Sequence, residues 1–230
     1  MKPTCLLLDL DGTLVDSAAG ITASVAATLT AIGVPVPDSD TLRSFVGPPM
    51  RQTFREVVGL DEPTAERALR LYRADYAARG ALNSRVYDGI PSLLETLAAG
   101  GFPLGVATSK VEDQAERIIE HHDLTTHLTT VCGTSDAAGR ATKRDVIREC
   151  LRRMREQGVD VSRPLMVGDR GYDVLSAAAE GIPAVRVLWG YGTPDESVNA
   201  HATVDSPQAL TRLLMPSGRP ERDLLSRALS

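Results

Sequence analysis

From Val86 to Leu214 short apolar runs alternate with stretches of helical spacing, and this alternation restricts the chain to a parallel α/β sheet. Leu104–Ala107, Leu128–Cys132, Leu165–Val167 and Ala184–Leu188 read as buried strands, too short for amphipathic helices. Pro91–Ala99, Val111–His122, Lys143–Gln157, Tyr172–Glu180 and Pro207–Leu214 carry helix patterning. Leu6–Leu8 is a further buried strand, but a long segment without convincing strands separates it from the others. In that segment Asp16–Ile32 sets Ile21, Val25, Leu29 and Ile32 on one helix face, and Gly33-Val34-Pro35 stops it. Asp38 or Ser39 can cap another helix, one more starts after Pro48-Pro49, and Pro63–Arg79 runs as a helix to Gly80.

The expected architecture is an α/β fold with a doubly wound parallel sheet. Its Rossmann-like core is formed by 1–16 and 85–215, an all-helical cap by 17–84, and a polar tail by 216–230. An insert after the first strand sits above the carboxyl ends of the strands, with 16–19 and 84–89 as its hinges.

The 230 residues, 43% of them apolar, suffice for a globular core. A net charge of −5, with the signs interspersed, gives no reason to expect nucleic acid or an anionic membrane as partner. No apolar run approaches a membrane span, and Asp9 ends the first apolar stretch too soon for a signal peptide. Cys5, Cys132 and Cys150 form no CxxC pair, and their odd number argues against a disulfide framework; the expected compartment is the cytoplasm.

Chemistry concentrates where the strands end. Leu6-Leu7-Leu8 runs into Asp9-Leu10-Asp11-Gly12-Thr13, so two carboxylates project into the crevice beyond the first strand. Crowded acids repel and cost desolvation unless a cation or a shared proton offsets them. Mg2+ would do so and leave one carboxylate free to attack phosphorus. Thr108-Ser109-Lys110 follows the second core strand, where a hydroxyl and the first amides of a helix can meet a phosphate oxygen. Lys143 opens a helix, where a cation opposes the helix dipole and calls for a nearby anion. Gly168-Asp169-Arg170-Gly171-Tyr172-Asp173 adds two acids after another buried strand. Singly these are a turn, an N-cap, a solvated lysine and a helix cap. Four such signals at the ends of four strands are a constellation.

The ordered set resembles the haloacid dehalogenase-like phosphohydrolases over residues 5 to about 214. Phe45-Val46-Gly47-Pro48-Pro49-Met50 and Val187-Leu188-Trp189-Gly190-Tyr191-Gly192 are similar to the phosphoglycolate phosphatase-like and 5′-nucleotidase-like branch. Leu8 stands where Phe is common, and Ser176 where Gly often begins helix packing. The resemblance implies a phosphate monoester hydrolase with Asp9 as nucleophile, forming an aspartyl-phosphate, and Asp11 as general acid and then base. It also implies that Asp9, the Asp11 carbonyl and Asp169 hold Mg2+, with Asp173 just outside. Thr108, the Ser109 amide and Lys143 then neutralise the phosphoryl oxygens. The implied partner is a small phosphate ester, met by a monomer or homodimer.

Other chemistries on this fold fit less well. A dehalogenase has no acid at the position of Asp11. A phosphonate hydrolase needs a cap lysine, and none lies between Ala18 and Ser84. A sugar-phosphate mutase could use Arg51 for a second phosphate, and a non-catalytic module would not need all six polar positions. For the substrate, Arg43, Arg51 and Arg55 could meet a carboxylate, as in phosphoglycolate. Phe45, Phe54, Tyr72 and Tyr76 could face a nucleoside. Arg51, beside the rigid Gly-Pro-Pro turn, is the expected cap specificity residue. Trp189 and Tyr191 are expected to shape a structural loop.

Overall fold

Successive residues of a strand point to opposite faces, so an unbroken Leu6-Leu7-Leu8 run needs apolar cover on both. The computed structural model, which describes residues 2–216, supplies it; beyond Pro216 the expected tail lies outside the described residues. The elements begin with β1 (Cys5–Leu8), β2 (Val15–Asp16), α1 (Ala18–Ala31), α2 (Ser39–Ser44), α3 (Met50–Gln52) and α4 (Glu62–Asp75). Next come β3 (Arg85–Val86), α5 (Ile90–Ala99), β4 (Leu104–Val111), α6 (Glu112–His121), β5 (Thr130–Thr134) and α7 (Lys143–Glu156). The chain continues through β6 (Pro164–Gly168), α8 (Gly171–Ala178), β7 (Ala184–Val187), β8 (Ala202–Val204) and α9 (Pro207–Leu214).

The main sheet is parallel, in the order β5-β4-β1-β6-β7-β8, with β1 in its middle. Leu6 and Leu8 pack on one face with Ile90, Leu94, Ile118 and Leu210. Cys5 and Leu7 pack on the other with Val146, Ile147, Cys150 and Val174. Helices therefore cover both faces, as the doubly wound reading expects. All three cysteines are buried and free. No helix among the described residues is long and apolar enough to cross a membrane.

The insert has a hydrophobic core of its own, with Ile21, Val25, Leu29, Phe54, Leu69 and Tyr76 among its residues. Gly20 of α1 lies against the Gly80 backbone, and any Cβ at Gly20 would overlap the Gly80 carbonyl. Asp38 and Asp61 cap α2 and α4 by accepting the Thr41 and Thr64 amides. The chain leaves and re-enters the sheet domain through one antiparallel pair, Val15 opposite Val86 and Asp16 opposite Arg85.

Three expectations need correction. The helix read from Pro63 to Arg79 ends at Asp75 and continues as a π turn, Tyr76–Gly80, closed by the Ala81 amide on the Tyr76 carbonyl at 2.7 Å. β4 does not stop at Ala107. It runs to Val111 after a break in register, because Val111 finds a partner in Thr134 of β5. Thr108 and Ser109 therefore sit on an irregular strand extension rather than at a helix start, and α6 begins only at Glu112. β8, three residues long, has too little pattern to be read from sequence.

Candidate active site

Register decides which side chains meet. Leu8 lies opposite Val106 on one side and Val167 on the other, so Asp9, Thr108 and Asp169 emerge near one edge of the sheet. There Asp9, Asp169 and Asp173 each offer a carboxylate oxygen, all within 4.8 Å of one another, and all three residues are buried. Lys143 enters from the first turn of α7, whose start is fixed by a capping box between Thr142 and Asp145. Its ammonium, 1% exposed, lies 2.7 Å from Asp9 Oδ1 and 2.7 Å from Asp173 Oδ1. The anion that its place on the helix called for is thus a pair of carboxylates.

Asp169 is 0% exposed. Its Oδ2 accepts the Tyr191 amide at 2.7 Å, and its Oδ1 accepts the Thr13 hydroxyl at 3.4 Å. Gly12, at φ +81°, approaches this carboxylate so closely that no side chain would fit there. Arg186, buried in β7, donates from Nε to the Asp169 carbonyl at 3.0 Å and steadies that loop.

Electrostatically the cluster holds three acids, two of them paired with one buried cation. Burial raises Asp9 to about 6, with Lys143 opposing and Asp173 reinforcing the shift. Burial also pushes Asp169 well above the usual carboxylate range, helped by Asp173 and Asp9. Burial disfavours the charge on Lys143, but Asp173 and Asp9 outweigh it and hold the ammonium above the ordinary lysine value. An excess of buried negative charge favours a cation, and an all-oxygen donor set suits a hard one.

Asp11 is turned away from this cluster. Ser17 Oγ donates to its Oδ1, and Lys110 Nζ lies 3.0 Å from its Oδ2. The Asp11 carboxylate is therefore not among the three clustered acids, whereas Asp173, paired with Lys143, is.

Asp9, Asp11, Thr108, Ser109 and Lys110 form the floor of a cavity of about 350 Å³ between the sheet edge and the insert. Phe45, Pro48, Pro49, Leu69 and Tyr72 contribute to its roof. Ser109 Oγ is the one buried side-chain polar atom without a hydrogen-bond partner among the described residues. Arg51 lines the cavity, yet its side chain is 56% exposed and its guanidinium lies 2.6 Å from Glu62 and 2.5 Å from Glu66. Arg55 also pairs with Glu62, and Phe54 and Tyr76 belong to the insert's own core.

The sequence profile of the haloacid dehalogenase-like hydrolases matches residues 6–187. This chain is a haloacid dehalogenase-like hydrolase.

The chain is 46% identical over 194 residues to "Tyrosine-protein kinase PtkA" of Mycobacterium tuberculosis, covering 84% of this chain but only 65% of that protein. It is 39% identical over 196 residues to a Pseudomonas aeruginosa protein named 5′-nucleotidase, covering 85% and 87% of the two. Further relatives carry the name phosphoglycolate phosphatase. Among solved structures, a predicted phosphatase from Clostridium acetobutylicum superposes with a TM-score of 0.86 at 38% identity, covering 93% of this chain and 99% of that one.

Lys110, Ser17 and Tyr191 shape the site in ways the sequence did not reveal. Lys110 was legible only as the residue after Thr108-Ser109. Ser17 carried no signal beyond following Asp16. Tyr191 Oη receives the Ser17 amide at 2.8 Å and the Ala18 amide at 3.1 Å, and donates to Asp16 at 2.6 Å. Trp189 donates to the Thr13 carbonyl at 3.0 Å, so both aromatics tie their own loop to the segment that follows β1.

Proposed function

We propose that this chain is a Mg2+-dependent phosphate monoester hydrolase acting on a small organic phosphate through an aspartyl-phosphate. The observation that carries this reading is the Asp9 carboxylate. One oxygen is held by buried Lys143, and the residue lies on the floor of a cavity that the insert roofs. In the proposed reaction the other Asp9 oxygen attacks phosphorus and the ester P–O bond breaks. Asp11 gives its proton to the departing alcohol, then takes one from the water that releases phosphate and restores Asp9. Thr108, the Ser109 amide and Lys143 neutralise the phosphoryl oxygens, which is most of what phosphoryl transfer requires.

The donor chemistry fits a divalent cation, because Asp9, Asp169 and Asp173 gather three buried carboxylates, of which Lys143 pairs with Asp9 and Asp173 only. Asp9 and Asp169, with the Asp11 carbonyl, would hold it, and Asp173 would keep its pairing with Lys143. When bound, such a cation supplies charge neutralisation for the phosphoryl group. Hydrolysis of p-nitrophenyl phosphate that depends on Mg2+ and disappears in Asp9→Asn tests the reading; wild-type turnover in that variant overturns it.

For the leaving group, the described cations lining the cavity are already matched: Arg51 with Glu62 and Glu66, Arg73 with Asp136, and Lys110 with Asp11. Beside these pairs, Phe45, Pro48, Pro49, Leu69 and Tyr72 give the roof an apolar and aromatic part. This supports a nucleoside leaving group, as the name of the 39%-identical relative suggests, over a carboxylated one such as glycolate. A higher kcat/KM for AMP than for phosphoglycolate is expected. A second reading, transfer to a protein tyrosine, is favoured by the name of the 46%-identical relative. With γ-labelled ATP, label on protein tyrosine supports transfer, and label released as phosphate supports hydrolysis.

A further inference from the structure

Lys110 has no part in the chemistry above, yet its side chain is only 5% exposed and bridges the sheet domain and the insert. Its Nζ lies 3.0 Å from Asp11 Oδ2, donates to Tyr76 Oη at 2.7 Å, and sits 4.2 Å from the centroid of the Tyr76 ring. Tyr76 is the first residue of the π turn that ends the long insert helix, and it stacks on Tyr72 with centroids 5.6 Å apart. Lys110 stands on the irregular extension of β4, where Thr108 Oγ1 accepts its backbone amide at 3.3 Å. Both local irregularities, one in each half of the molecule, therefore converge on a single contact.

The Asp11 carboxylate has two oxygens and two partners. Ser17 Oγ takes Oδ1 from the hinge side, and Lys110 takes Oδ2 from the insert side. A carboxyl turns about its terminal torsion through a broad, shallow well, so one contact alone does not set its direction. Two contacts do. One of the two is shared with the insert through the Tyr76 hydroxyl. Burying a lysine is costly unless it is paired and hydrogen-bonded, and Asp11 and Tyr76 Oη supply both here.

We propose that Lys110 is a positioning residue that transmits docking of the insert to Asp11. While Tyr76 rests on the ammonium, Lys110 holds the Asp11 carboxyl toward the leaving-group oxygen; when the insert lifts, that hold loosens. This rests on the phosphatase reading, in which Asp9 forms the bond to phosphorus, the ester P–O bond breaks, and the Asp11 proton passes to the departing oxygen. The effect falls on esters whose alcohol must be protonated to leave. p-Nitrophenolate leaves without that proton, so its departure is nearly indifferent to where Asp11 points.

The test compares kcat/KM, which reports aspartyl-phosphate formation, for AMP and p-nitrophenyl phosphate in Lys110→Met and Tyr76→Phe. Lys110→Met is expected to lose about thirtyfold on AMP and about threefold on p-nitrophenyl phosphate, so their ratio shifts roughly tenfold. Tyr76→Phe keeps the ring and loses the hydroxyl, and should shift the ratio the same way by about threefold. Equal losses on both esters would mean that Lys110 only balances charge, and would overturn the proposal. A crystal structure of Lys110→Met is independent of activity: the Asp11 carboxylate should leave its present direction, and an unmoved carboxylate overturns the proposal. If the wild type hydrolyses neither ester with Mg2+, the phosphatase reading falls, and the Asp11 orientation alone decides what Lys110 does.

Discussion

Lys143 Nζ and Asp9 Oδ1 are 2.7 Å apart, joining the first turn of α7 to the end of β1 across a sequence separation of 134 residues. The same ammonium is 2.7 Å from Asp173 at the start of α8, so one side chain ties three elements together at the sheet edge. Removing one partner of a buried ion pair leaves the other uncompensated. Lys143→Met is expected to destabilise the fold by about 3 kcal/mol at neutral pH, read by urea unfolding with EDTA present. Adding Asp173→Asn to it should restore part of the loss, since one buried charge fewer is then left unpaired.

Asp9→Asn keeps the shape of the side chain and removes the attacking charge. Its kcat on p-nitrophenyl phosphate is expected to fall by several orders of magnitude, with the far-ultraviolet circular dichroism unchanged.

The two later acids differ in what they touch. Asp169 accepts from an amide and a hydroxyl and makes no ion pair among the described residues, whereas Asp173 is paired with Lys143. Asp169→Ala should therefore raise the Mg2+ concentration for half-maximal activity more than Asp173→Ala does. A Mg2+ titration of both variants checks the order, and a larger effect at Asp173 would reassign the ligand.

Arg51 was expected to select a carboxylated substrate, but its guanidinium is shared by Glu62 and Glu66 at the cavity rim. Exposed pairs of this kind contribute about 0.2–1 kcal/mol each. Arg51→Ala should change kcat/KM for phosphoglycolate and p-nitrophenyl phosphate alike, within about threefold. A selective tenfold loss on phosphoglycolate would show that the guanidinium leaves its glutamates for the substrate.

Glu149 of α7 accepts Arg152 Nε at 2.7 Å and Arg153 Nε at 2.8 Å. The hydrogen bond from Arg152 leads the causes that lower its carboxyl to about 2. A lowered native value means stability that is fully present above the ordinary value of about 4.5 and lost as pH falls toward 2. Allowing for solvent screening, Glu149→Gln is expected to cost about 1–2 kcal/mol at pH 7. The gap from wild type should close between about pH 5 and 2, measured by thermal unfolding across that range.

The sequence by itself determined the sheet, the helical insert and the acids at the strand ends. Those follow from local rules: apolar runs such as Leu6–Leu8 must be buried, Gly12 permits the turn after them, and Thr142 and Asp145 cap α7 from neighbouring positions. The final helix, expected near Pro207–Leu214, was legible for the same reason. Only the tertiary structure decided the partnerships. That Lys110 meets Asp11 and Tyr76, and that Glu62 and Glu66 occupy Arg51, depends on the β4 irregularity, the π turn at Tyr76 and the docking of the insert. None of these leaves a periodic trace, because a break in register or one extra residue in a turn redirects a side chain without changing local composition. Charge pairing between distant segments is settled by the space they share after folding, and spacing along the chain does not encode it.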